Sequence, residues 1–113
     1  MTKPPINEDD VVAERRFDSP EGPVILRLHR PIPWPSDISD REPDWVCWYA
    51  IRFPSGEGKR HSAVGVDSIQ ALLLAFASAM GDLRYVGDGT PTRRPPLQWL
   101  GEDDLGLTIN HFE

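Results

Sequence analysis

The stretch DWVCWYAIRF, Asp44 to Phe53, decides how this chain is read, because it is a β-strand with no wet side. Side chains alternate across a strand, so Val46, Trp48 and Ala50 share one face while Trp45, Cys47, Tyr49 and Ile51 share the other. Both sets are apolar. A strand of this kind sits in the middle of a layered domain and needs a cover on each side.

The flanking sequence supplies its neighbours. VVAERRF (Val11 to Phe17) and PVILRLHR (Pro23 to Arg30) form a predicted hairpin about the turn SPEG, with Val24, Leu26 and Leu28 on one face. PIPWPSDISDREP (Pro31 to Pro43) carries four prolines, which fix φ and remove donors, and is expected to be a long extended loop with Trp34 packing back. After the opening strand, PSGEG (Pro54 to Gly58) reads as a turn and KRHSAVGV (Lys59 to Val66) as a fourth strand. Then VDSIQALLLAFASAM places Asp67 as N-cap and Gln70 three residues on, a capping box with Asp in place of Ser or Thr. Ile69, Leu72, Leu73, Phe76 and Met80 recur at helical spacing and make the expected buried stripe. The pattern continues through Leu83 to Val86, so the helix runs past Gly81 rather than stopping there.

These elements predict an α+β fold: a four-stranded antiparallel meander with one long helix on one face, plus a C-terminal segment of loops and short elements. Residues 1–9 read as a flexible lead-in and residues 10–113 as a single domain. Residues 87–96, rich in Gly, Pro and Arg, read as a loop, after which LQWLGEDDLGL returns apolar side chains to the body. Pairing Phe53 with Lys59 would set Ile51 opposite His61, Tyr49 opposite Ala63 and Cys47 opposite Gly65. On that register Val46, Trp48, Val64 and Val66 join Val24, Leu26 and Leu28 beneath the helix. The other face then holds Trp45, Cys47, Tyr49 and Ile51, with Ile25, Arg27, His29, Lys59 and His61 making one end basic. Three occupants compete for it: the C-terminal segment with Trp99, Leu100, Leu105 and Phe112, a second copy of the chain as a two-fold dimer, or a different protein or small ligand.

Totals narrow the function classes. A chain of 113 residues makes about one domain, and its 12 prolines, about twice the usual share, predict much irregular backbone. A net charge of -6 argues against general attraction to nucleic acid or anionic lipid. The single cysteine, Cys47, excludes an intramolecular disulfide and suits a reducing compartment. The opening MTKPPINEDD has no apolar core of a secretion signal, so a cytoplasmic location is expected.

GVDSIQALLLAF (Gly65 to Phe76) together with WLGEDDLGL (Trp99 to Leu107) resembles a family of small bacterial proteins known only as a domain of unknown function. AERRF near the start and the aromatic third strand fit the same pattern, so the likeness covers roughly residues 11 to 107. The resemblance implies a shared fold and a bacterial source. It brings no catalytic or binding residues to transfer.

The remaining motifs carry little chemistry. SGEGKR (Ser55 to Arg60) lacks the spacing and following helix of a phosphate loop, and no G-x-S-x-G elbow is present. His29, His61 and His111 lie on separate segments; a cluster of His29, Cys47 and His61 is geometrically conceivable, but surface histidines and a core cysteine are commoner. GEDDLG (Gly101 to Gly106) lacks the spacing of a calcium loop, and Asp103 or Asp104 reads as a cap. No catalytic residue, metal or cofactor is therefore indicated. The first functional expectation is a non-enzymatic interaction or regulatory module whose candidate face comprises Trp45, Tyr49, Ile51, Arg27, His29 and His61. The alternative is a small-anion or small-ligand binding protein, or an enzyme, with its pocket on the sheet face.

Overall fold

The computed structural model describes residues 3–35 and 42–87, with side chains as far as residue 83. Five strands and one helix follow in chain order: β1 (Val11–Phe17), β2 (Val24–His29), β3 (Ile32–Trp34), β4 (Asp44–Arg52), β5 (Gly58–Gly65) and α1 (Ser68–Gly87). The fold is α+β, and every strand pairing is antiparallel. The order β1, β2, β4, β5 is the expected meander. The fifth strand, β3, comes from the proline-rich segment expected to be loop. It pairs with Asp44–Val46 while β2 pairs with Tyr49–Arg52, so the two share one edge of β4. From Leu28 to Ile32 the chain advances four residues while β4 advances only three, from Tyr49 to Val46. Pro31, with no N–H for the ladder, lies at that interruption.

The β4–β5 register differs from expectation by two residues. Ile51 faces Lys59, Tyr49 faces His61 and Cys47 faces Ala63. The cause is a tighter turn: Gly56 N–H donates to Phe53 O at 3.0 Å, Phe53 N–H donates to Glu57 O at 2.8 Å, and Gly56 takes a φ of 91°. A type I turn closed by a left-handed glycine leaves only Pro54 to Gly56 in the loop. A two-residue slip preserves which side chains share a face.

The choice of face under the helix is reversed. Leu26 pairs with Ile51 and Leu28 with Tyr49, so β2's apolar set shares a face with Trp45, Cys47, Tyr49 and Ile51. That face lies beneath α1, where Phe17, Val24, Leu26, Cys47, Tyr49, Ile51 and Phe53 form the core with Ala71, Ala75, Ala79 and Leu83. Val46, Trp48 and Val64 belong to the opposite face, and Val66 is exposed beyond β5.

The helix also turns a different stripe inward. Ala71, Ala75, Ala79 and Leu83 repeat every four residues and are buried, whereas Ile69 and Leu73 are 69% and 53% exposed. Leu72 alone of the expected stripe packs against the core cluster as a partly buried side chain. Bulk explains the choice. The sheet contributes Tyr49, Phe17, Ile51 and Phe53, and small residues opposite them let the helix come close enough to fill space without voids. The approach is tight at Gly65, where an added Cβ would lie 2.4 Å from Ala71 N. The helix start is as expected: Asp67 Oδ1 accepts from Gln70 N at 2.7 Å, and Gln70 Oε1 accepts from Val66 N at 2.7 Å. Its course past Gly81 also follows the sequence pattern.

Candidate functional site

The six residues of the expected interaction face divide between the two sides of the sheet. Trp45, Tyr49 and Ile51 lie on the α1 side, where Tyr49 and Ile51 are buried and Trp45 packs at the margin of the core. His61, exposed on β5, lies with its ring centre 5.8 Å from that of Tyr49. Arg27 and His29, by strand alternation, belong to the helix-free side. The apolar half of the expected face is therefore core, and its cover is α1. The C-terminal residues Trp99, Leu100, Leu105 and Phe112, and Asp103 and Asp104, lie outside the described residues.

On the α1 side, Tyr49 Oη donates to Asp82 Oδ2 at 2.6 Å and meets Ser78 Oγ at 2.9 Å. Burial, and then the Asp82 carboxylate, push its phenol up to about 12. Cys47 is fully buried with Sγ 3.3 Å from His29 O, and burial raises its thiol to about 11. Both groups are held neutral, which suits a fastening of sheet to helix better than nucleophilic work. His29 and Cys47 thus meet through a thiol and a backbone carbonyl. Among the described residues no group of three or more His, Cys, Asp or Glu is placed to hold a metal.

The helix-free side carries the charge. Arg27, Ala50 and Arg60 lie in one row across β2, β4 and β5, and the next row holds Ile25, Arg52 and Gly58. Alanine and glycine leave the floor low between arginine stems. The result is a groove of about 420 Å³ lined by Arg27, Arg52, Arg60, Lys59, His29 and Glu8 among others. Arg27 Nε is 3.5 Å from Glu14, Arg60 pairs with Glu8, and Lys59 Nζ reaches to 3.9 Å from Asp82 on α1. The Arg52 guanidinium has no carboxylate partner among the described residues.

Residues 3–10, which form neither helix nor strand, lie on this same side. Trp48 Nε1 donates to Pro4 O at 3.0 Å, and Lys3 Nζ donates to Ser62 Oγ at 2.9 Å while sitting 4.9 Å from the Trp48 ring centre. Further along, His29 Nδ1 is 2.8 Å from Asn7 O, and Asp10 accepts from the Arg30 guanidinium at 2.7 Å. A carbonyl can only accept, so Nδ1 carries the proton and Nε2 of the neutral ring is an acceptor. That Nε2 is buried and has no hydrogen-bond partner among the described residues. No sequence pattern announces these contacts, because two of the acceptors are backbone carbonyls that any residue could supply.

The family model for a domain of unknown function (DUF6968) matches residues 13–109. The chain belongs to this family. The matched span contains Trp48 and the groove's lining residues other than Glu8, whereas residues 3–10 precede it. No curated protein and no solved structure matches the chain. A second hollow, of about 590 Å³, lies on the α1 side between β3 and the helix start, lined by Pro31, Ile32, Pro33, Trp45, Ile69 and Leu72 among others. Among the described residues no helix is long and apolar enough to cross a membrane.

Proposed function

We propose that this chain is a non-enzymatic binding module that takes up an anionic group on the helix-free face of its sheet. The observation that supports this reading is the convergence of Arg27, Arg52 and Arg60 around one groove in a chain of net charge -6. A concave surface of one sign raises the local concentration of the opposite sign. Guanidinium groups offer paired N–H donors matched to carboxylate or phosphate oxygens, and Arg52 has no carboxylate to satisfy it among the described residues. Arg27 and His29, two of the six residues expected from the sequence, belong to this site.

The test is thermal unfolding of the whole chain in succinate or inorganic phosphate, against sodium chloride at matched ionic strength. A bound anion at 100 times its dissociation constant stabilises by about 2.7 kcal/mol, so a saturable rise in Tm is expected. Arg52→Glu should abolish that rise. An equal response to chloride and to the two test anions would overturn the proposal.

A further inference from the structure

We infer that the helix-free face receives a proline-containing acidic peptide from a partner protein, and that residues 3–10 of this chain occupy it as a built-in competitor. The inference rests on the groove being an anion site and names the partner that fits it.

Residues 3–10 show what the face can hold. Their sequence is KPPINEDD, two prolines followed by an acidic run. Trp48 offers its indole N–H to the Pro4 carbonyl, and His29 offers Nδ1–H to the Asn7 carbonyl where the segment turns, Asp10 N–H donating to that same carbonyl at 3.1 Å, so two side chains read its main chain. An aromatic ring that donates to a carbonyl beside proline is a recurrent way of holding proline-rich peptides, whose stiff backbone loses little entropy on binding. Beyond those contacts the face becomes cationic where the peptide becomes acidic: Glu8 meets Arg60, and at the start of β1 Asp10 meets Arg30 beside the face. The proline half and the acidic half are each matched.

The occupant is nevertheless an incomplete fit. His29 is only 3% exposed, yet its Nε2 acceptor has no hydrogen-bond partner among the described residues. Buried acceptors of this kind are normally satisfied. Glu8 makes one ion pair, with Arg60, and leaves Arg52 without a carboxylate partner among the described residues, and ion pairs between half-exposed side chains hold weakly. A peptide with a donor for Nε2 and a further carboxylate for Arg52 would complete both. The residues that meet the segment, His29, Trp48 and Arg60, lie within the family's span, which begins inside β1.

Fluorescence anisotropy of a labelled KPPINEDD peptide, titrated with the full chain and with the full-length Glu8→Gln/Asp10→Asn variant, tests the inference. A weakened internal competitor leaves the site open more of the time, and apparent affinity scales with that open fraction. The variant should bind the peptide about tenfold more tightly than the parent chain. A peptide neutralised at the same two positions should lose most of that binding. Arg60→Ala introduced into the variant should weaken the acidic peptide and leave the neutralised one unchanged. Equal binding to both chains, or none to either, while succinate still raises Tm, would overturn the competitor and leave the anion site standing. Failure of both peptide and succinate would overturn the two together.

Discussion

Replacing Gly65 by alanine should destabilise the fold, although alanine in place of glycine usually does the opposite. An added Cβ would lie 2.4 Å from Ala71 N, 2.9 Å from Gln70 C and 3.0 Å from Ala71 Cα. All three are backbone atoms of the first helical turn, so no side chain can rotate aside. Real Cβ atoms essentially never come within 3.0 Å of a neighbour, so the helix start must withdraw by about 0.6 Å or more. Ala71 and Ala75 are fully buried against the sheet, and withdrawing the turn opens a gap beneath them. A gap of roughly 0.5–1 Å forfeits a quarter to a half of each van der Waals contact. Overpacking of this sort costs about 1–3 kcal/mol, and immovable backbone on the far side points to the upper half of that range. Urea denaturation followed by tryptophan fluorescence gives the measurement, with a lower midpoint and an unchanged slope expected. Gly81 is the control. It lies inside the same helix, and a Cβ added there would meet nothing within 4 Å, so Gly81→Ala should stabilise by roughly 0.5–1 kcal/mol. A Gly65→Ala chain as stable as its parent would refute the close approach of α1 to the end of β5.

The Tyr49 hydroxyl ties β4 to α1, so Tyr49→Phe should cost about 1–3 kcal/mol through lost hydrogen bonds, read as a lower urea midpoint. Its phenol is raised from 10.0 to about 12, and the Cys47 thiol from 9.0 to about 11. A raised folded-state value means the fold binds the proton more tightly. Both contributions are therefore complete below about pH 9 and are lost progressively as the pH rises from there to about 12. Tyr49→Phe should flatten the upper part of that decline, and an unchanged pH profile would contradict the assignment. Cys47 should resist a thiol reagent at about pH 8 in the native chain and react at once in denaturant; rapid native-state labelling would show that the thiol is not enclosed.

What the sequence makes legible is local. The Asp67–Gln70 cap, the meander order and the course of α1 past Gly81 all follow from short-range patterns, and all appear. Facing is harder to read. Ile69, Leu73 and Leu74 outweigh the alanines in any hydropathy pattern, yet the alanines face in, because a sheet presenting Tyr49, Phe17 and Phe53 needs small partners. Hydropathy ranks side chains by their affinity for water; it does not say how much room the opposite layer leaves. The β4–β5 register depends on whether the turn closes over three residues or five, a matter decided by Gly56 adopting a left-handed conformation. Of the site, Arg27 and His29 are visible in the sequence as basic residues on one strand face. Arg52 and Arg60 join them only once β2 and β4 are correctly paired.

The outer edge of β5 has a second meaning for the molecule's behaviour in a crowded solution. Among the described residues β5 pairs only with β4, so the outer row of backbone donors and acceptors along GKRHSAVG has no strand partner among them. Sheets left open in this way grow by adding strands from other molecules, and closely spaced like charges discourage that growth. Lys59 and Arg60, side by side at the exposed end of β5, would repel a second copy approaching along that edge. Removing Arg60 to empty the groove would also weaken this guard. On the proposed function, Arg60 would serve solubility as well as anion binding, and its positive sign would be constrained twice over.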